Sequence, residues 1–392
     1  MAKAAGSMGE REVIDASATG SDVRAQRLDA SALTASDRAS WGQLADRAAE
    51  PNPFLRPEFV LANMAERGVP VELIVVRNEE RWLVCLPVRS RAPTLRLPVP
   101  HLEALTDEYS LLGTPLMDRG ALTAAAEGFV DFLLGERRVA VLVVNLFAPD
   151  GPVGAAIAAA ASSRGLKPIV LGEFERAAWR RSSDGAIPGA WLKRSDRREL
   201  VRRSRLLGLE LGGEPEVVDR SRSPEGWESF LAMENSGWKA EYGTALGSTK
   251  ADAAFFRRIC AAMSGSGLLE VVALEAGGRT VAMECHLVDG GVLYSFKIAH
   301  DPTFRTFSPG TQLKYRVIER LYARGLVMGD SCANPLNAHM NRLWPDRRPM
   351  QTLLLPTGAR SILRPALWGR AAARRVRAWA LTHRPGRSAG RN

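Results

Sequence analysis

A chain of 392 residues, 46% of them hydrophobic, has room for more than one core of ordinary size, and no apolar run approaches the roughly 20 residues that cross a bilayer as a helix. Cys85, Cys260, Cys285 and Cys332 are scattered without paired spacing, which argues for a reducing compartment and against structural zinc. The net charge of +10 resembles a nucleic-acid footprint until it is located: nine arginines and no acid lie in residues 359–392 and supply all but one unit of it. The rest of the chain is nearly neutral, so no specific nucleic-acid partner is expected.

Residues 1–36 lack an apolar signal core and read as a mobile leader. Beyond it, apolar periodicity predicts a helix over 57–66, strands over 71–76 and 82–89, a strand near 108–112 and a helix over 121–134. A strand over 139–147, a helix over 153–164 and a strand over 167–171 complete the first half. The second half repeats this order, with helices over 224–236 and 251–264, strands over 268–274, 280–288 and 292–299, a helix over 311–324, and strands over 326–330 and 350–355. Alternation of this kind predicts α/β layering. The basic run from Lys193 to Arg205 lies at the join and is either a solvated helix face or a phosphate clamp. After Pro365, Trp368, Val376 and Trp379 share one side of a helix and Arg370, Arg374 and Arg377 the other. That pattern suits either an anionic membrane surface or packing on the body.

Four stretches could carry chemistry. Ser308-Pro309-Gly310-Thr311 opens a helix with a good N-cap, a proline at the first helical position and a glycine that lets a ligand approach the backbone. Its amides, through Gln312, suit an anion such as a cofactor phosphate. Upstream, Asp289-Gly290 reads as a two-residue turn pairing Val288 with Gly291. That register sets Glu284 opposite Ser295, His286 opposite Leu293 and Ala282 opposite Lys297. Glu284, His286, Ser295 and Lys297 then form a polar strip, with Met283, Cys285, Tyr294 and Phe296 on the core face. The strand ending at Asp330 leads into Ser331-Cys332-Ala333-Asn334-Pro335, where an α/β sheet places ligand contacts. Cys332 is either an acyl-carrying nucleophile or a small apolar side chain. The loop with His339, Asn341, Trp344, Arg347 and Arg348 suits substrate recognition or plain packing. No His and carboxylate cluster has metal-ligand spacing, and no Ser, His, Asp order forms a triad.

The run from Arg279 through the hairpin, His300-Asp301-Pro302, Phe304, Ser308-Pro309-Gly310, the helix and Asp330 resembles the GNAT acyltransferase superfamily. Trp41 with Leu44, Pro53-Phe54, Pro57-Glu58-Phe59, the basic run, Trp227, Phe230 and Trp238-Lys239 make it similar to the CelD-type branch, related to the FemAB transferases. The likeness spans roughly residues 40–356 and departs from the pattern in lacking the glycine-spaced pyrophosphate loop. It implies tandem GNAT-like lobes of mixed sheets flanked by helices: a leader (1–36), an N-terminal lobe (37–175), a basic connection (176–222), an acyltransferase lobe (223–358) and a basic amphipathic tail (359–392). It further implies transfer from acetyl-CoA or another acyl-CoA, without a metal, to an amine of an envelope, polysaccharide or specialised-metabolite precursor. Glu284, His286 or Asp301 is then the base; Ser308, Gly310, Thr311 and Gln312 hold the cofactor; Ser295, Lys297, Asp330 and Asn334 contact substrate. The expected location is cytoplasmic, peripheral to the membrane if the tail binds it. The alternatives are a FemAB-like transferase using charged tRNA and a catalytically silent scaffold in envelope or exopolysaccharide assembly.

Overall fold

The computed structural model describes residues 13–14, 23–94, 97–181, 191–237 and 241–359; Trp238, Lys239 and the tail beyond Ala359 lie outside the described residues. The first half contributes β1 (Val13–Ile14), β2 (Arg24–Asp29), β3 (Glu72–Arg77), β4 (Trp82–Arg91), β5 (His101–Ala104), β6 (Leu116–Met117), β7 (Val141–Phe147) and β8 (Ile169–Arg180). Its helices are α1 (Ala35–Asp46), α2 (Pro57–Arg67), α3 (Leu122–Gly135) and α4 (Pro152–Ser163). The second half contributes α5 (Arg194–Leu211), β9 (Glu216–Asp219), α6 (Pro224–Asn235), α7 (Lys250–Met263), β10 (Leu269–Ala276), β11 (Arg279–Asp289) and β12 (Val292–His300). It ends with α8 (Pro309–Ala323), β13 (Met328–Asp330), α9 (Ala338–Leu343) and β14 (Asp346–Pro356).

Local chemistry explains the boundaries. Thr34 and Asp37 form a reciprocal capping box at the start of α1. Pro57 opens α2 and Gly68, in the left-handed region at φ 65°, ends it. Within the stretch expected to be a leader, β2 pairs with β3. The strand expected at 108–112 is instead irregular, and the strand lies at His101–Ala104. Asp107 is the reason: its carboxylate accepts from the amides of Tyr109 at 2.9 Å and Ser110 at 2.7 Å, a turn that competes with a strand ladder.

All strands among the described residues join one mixed sheet in the order β1-β2-β3-β4-β5-β7-β14-β8-β13-β12-β11-β10-β9, with β6 on β4. Each half is interrupted by a strand of the other. β14, late in the chain, lies between β7 and β8, while β8, from the first half, lies between β14 and β13. One core packs Trp41, Phe129 and Leu83 with Leu353 and Leu355 of β14. A second is aromatic and spans both halves, with Phe59 of α2 edge-on to Phe255 of α7 at 5.2 Å and Phe54 edge-on to Tyr294 at 5.8 Å. Such pairs contribute about 1 kcal/mol each beyond their buried area. A third packs Leu313, Val317 and Leu321 of α8 with Trp179 and Trp344. The period of four that predicts this helix is thus its core face.

The hairpin register differs from the one expected. Gly290 and Gly291, at φ 53° and 80°, form the turn, so Asp289 pairs with Val292 and His286 with Ser295. Two consecutive positive φ values favour the Gly-Gly pair over Asp-Gly. A Cβ on Gly290 would also stand 2.9 Å from Pro51 Cβ. Between His286 and Cys285 the register shifts by a further residue, a bulge on β12 after which Cys285 pairs with Lys297, Glu284 with Ile298 and Ala282 with His300.

Candidate functional site

The parallel strands β12 and β13 pair only over Val292–Tyr294 and Met328–Asp330. Beyond that β12 continues to His300, while the chain after β13 turns away through Ser331 and Cys332, the latter at φ 49°. The parting of the strands opens a cleft of about 550 Å³, lined by Ser295 to Ile298 of β12, by Ser308 to Thr311 at the start of α8, by Ser331 to Ala333 and by His339.

Beneath the cleft lies a buried polar cluster. Glu284 and His286 are fully buried on β11. Lys314 reaches from α8 to within 3.2 Å of Glu284 Oε1, and His286 Nε2 lies 3.1 Å from Oε2, both at ion-pair distance with poor hydrogen-bond angles. Lys314 also donates to the Ser295 hydroxyl at 3.4 Å. Burial opposes ionisation of Glu284, but the Lys314 ammonium and then His286 outweigh it and hold the carboxyl below the ordinary glutamate range. Glu284 is therefore a charged anchor for Lys314, and Lys314 and Ser295 are the members of the cluster that line the cleft.

The remaining expected residues divide. The bulge carries Lys297 off the strip, and its ammonium stands 4.5 Å from the Tyr109 ring centroid, still on the lining of the cleft. Ser308 adopts the left-handed conformation and does not cap α8 with its side chain; its hydroxyl accepts from Arg203 instead, while its carbonyl receives the Thr311 and Gln312 amides. Gly310 lines the cleft, with space for a Cβ 3.4 Å from Ile298 Cδ1. Thr311 Oγ1 lies 3.4 Å from His339 Nε2. The Gln312 side chain turns away, donating to the Phe307 carbonyl at 2.9 Å. Asp301 caps the turn after β12 through Thr303 and pairs with Arg279 at 2.9 Å. Burial opposes its ionisation, but the Thr303 bonds and Arg279 prevail and lower its pKa, the opposite of what a base near neutrality needs.

Asp330 does not face the cleft. It is fully buried and clamped by Arg176 and Arg348, each at 2.6 Å, and accepts the Cys332 amide at 2.9 Å. Burial works against its charge, and the two guanidinium groups overcome it, holding the pKa at about 2. The clamp ties β13 to β8 and β14. Asn334 accepts from the Leu336 amide at 2.8 Å within its own loop. Burial and the neighbouring Asp330 push the Cys332 thiol up, against its use as a ready nucleophile.

Two histidines line the cleft, His300 at the end of β12 and, in α9 after β13, His339. His339 lies beside Thr311, and partial burial, Lys314 and Arg342 hold its imidazole below the ordinary histidine range, hence neutral near pH 7. The sequence placed it in a polar loop but held no signal that this loop folds back over the start of α8. Among the described residues no group of His, Cys, Asp and Glu is arranged to hold a metal ion.

Residues 194–337 match the family model described as an acetyltransferase (GNAT) domain. No curated protein matches the chain. Among solved structures, FemX shares 11% identity at a TM-score of 0.54, covering 84% of this chain and 96% of its own. The C-terminal domain of a putative lysylphosphatidylglycerol synthetase from Agrobacterium fabrum shares 16% identity at 0.52, covering 86% and 96%. A conserved protein of unknown function from Bacteroides thetaiotaomicron shares 11% identity at 0.52, covering 82% and 98%. At these identities the structural likenesses establish fold alone, and the family match runs from α5 to Asn337, which takes in most of the cleft lining but not Glu108, Leu111, His339 or Met340.

Proposed function

We propose that this protein is an N-acyltransferase of the CelD-type GNAT branch, taking an acyl group from acetyl-CoA or another acyl-CoA and transferring it directly to an amine of an envelope, polysaccharide or specialised-metabolite precursor. The observation that carries the reading is the parting of β12 and β13 at the first turn of α8, which makes a slot for a thioester arm beside a helix N-terminus whose dipole favours phosphates, although the Thr311 and Gln312 amides expected to hold them are bonded to the Ser308 carbonyl. The residues present fit such a group: Gly310 leaves open space at the slot, and no carboxylate stands among Ser308 to Thr311 to repel an anion. When bound, the thioester supplies an activated acyl carbon.

His339 then accepts the proton that the amine loses as the new C–N bond forms, and the departing sulfur regains a proton from solvent or from the imidazolium. Lys314, fixed by Glu284, keeps positive potential at the cleft floor, where it steadies negative charge developing on the acyl oxygen. Glu284 and His286 act through Lys314.

Calorimetry with CoA, acetyl-CoA and longer acyl-CoAs tests the reading. Binding of an acyl-CoA is expected, retained in Gly310→Ala, whose Cβ has room, and weakened at least about tenfold in Gly310→Val, whose methyl groups enter the slot. Absence of binding to every CoA species would overturn it, and binding of charged tRNA in their place would favour the aminoacyl-transfer alternative.

A further inference from the structure

Helix α5 spans 18 residues, yet Leu207 is its one fully buried side chain. Its inner side is anchored at the cleft: Arg203 donates to Ser308, Arg316 of α8 to the Ser204 hydroxyl at 3.4 Å, and Leu200 and Leu211 pack on the third core. At about 100° per residue, Arg194, Arg198, Val201, Arg202, Arg205 and Leu209 fall on the opposite side within about 100° of arc, and no acid of α5 shares that arc, though Val201, Arg205 and Leu209 also border a groove against α8 that includes Glu214 and Glu319. Val201 and Leu209 are each 70% exposed. Glu199, on the flank, neutralises Arg202 at 2.8 Å, whereas Arg194, Arg198 and Arg205 make no ion pair among the described residues.

We propose that this outer face of α5 docks on an anionic lipid surface. The arginines supply charge complementarity to phosphate headgroups, and the aliphatic side chains between them suit the boundary between headgroup and acyl chain. RNA offers the same negative charge, but a single-stranded RNA surface is built on aromatic stacking platforms, and this arc carries Val and Leu where such a platform needs rings. The inference rests on the helix surface and is independent of the acyl-transfer reading.

The test is co-sedimentation of the full chain with phosphatidylcholine vesicles, with and without phosphatidylglycerol, at low and high salt. Binding is expected only with the anionic lipid and is expected to fall with salt. Serine at Arg194, Arg198 and Arg205 together should lower partitioning by about a hundredfold, and lysine at the same positions should preserve it. Serine at Val201 and Leu209 should lower it by about tenfold. All five side chains are exposed, so melting temperature is expected to hold. Full binding by the arginine variant would overturn the proposal and assign any membrane affinity to the arginine-rich residues 360–391. Unchanged vesicle binding in the aliphatic variant, with RNA binding lost in the arginine variant, would overturn it in favour of a nucleic-acid surface.

Discussion

Replacing Glu284 with glutamine keeps the shape of the side chain and removes the charge that compensates Lys314. The ammonium, about 5% exposed, would keep only the Ser295 hydroxyl at 3.4 Å. Removing one partner of a buried ion pair costs about 3–5 kcal/mol, because the other charge is left without compensation. Lys314→Met leaves the opposite orphan, a buried carboxylate facing His286, and should cost about as much. The double variant removes both charges, so its loss should be about 3 kcal/mol rather than the sum of about 6–10 kcal/mol, a coupling of about 3–7 kcal/mol. Urea unfolding at neutral pH measures this, with a fall in thermal midpoint of about 4 °C for each single variant if the sheet melts as one unit. The pH dependence supplies a second reading. Because the folded-state pKa of Glu284 is depressed, its contribution is fully present above the unfolded value of about 4.3 and is lost as pH falls through the lower folded value. The wild type should therefore lose stability on acidification below about pH 4 more steeply than Glu284→Gln. Additive single losses, or parallel acid slopes, would refute the picture of Glu284 as the anchor of Lys314.

Three further outcomes are expected. His339→Asn should lower turnover by about 10²–10⁴-fold, and the wild-type rate should hold as pH falls to below about 6.5 before declining, since the imidazole works in its neutral form and its pKa is lowered; pH–rate profiles of both proteins check this. Asp330→Asn leaves Arg176 and Arg348 facing each other without a counter-charge and should cost about 3–5 kcal/mol in urea unfolding, with little protein recovered if the clamp is needed to close the sheet. Burial pushes the pKa of Asp289 up to about 6 against the pull of Arg56. The folded state then holds the extra proton, so stability should fall as pH rises from about 4 to 6, a slope that Asp289→Asn should remove.

Much of the second half was legible because its signals are local. The apolar period of α8 and the alternation along β11 and β12 both depend on near neighbours in the chain, whereas Asp301, read as a base, caps the turn after β12. The hairpin register was missed by one residue because two adjacent glycines, Gly290 and Gly291, compete with Asp289-Gly290 for the turn, and the chain takes the pair in which both residues are glycine at positive φ. The bulge that moves Lys297 off the strip leaves no trace in composition. Asp330 and Asn334 were read as ligand contacts from their place after a strand. The arginines that claim Asp330, Arg176 and Arg348, lie on strands paired across the sequence, and no period within one segment reports such partners. The same holds for Lys314, whose spacing on α8 reads as solvent-facing until β11 is brought beneath it.

The exchange of β8 and β14 bears on how this protein can be made. A ribosome delivers the first half with β8 already synthesised, but the neighbour that must sit between β7 and β8 is still more than 150 residues away. Until Asp346 to Pro356 emerges, the edges of β7 and β8 have no partner between them, and unpaired edges of that kind invite the wrong strand. Neither half can be finished before the other, so their sequential release as independent units is closed to this chain. The completed product has a matching property: cutting the connection near residues 182–190 should leave the two pieces associated, because each still holds a strand of the other's sheet.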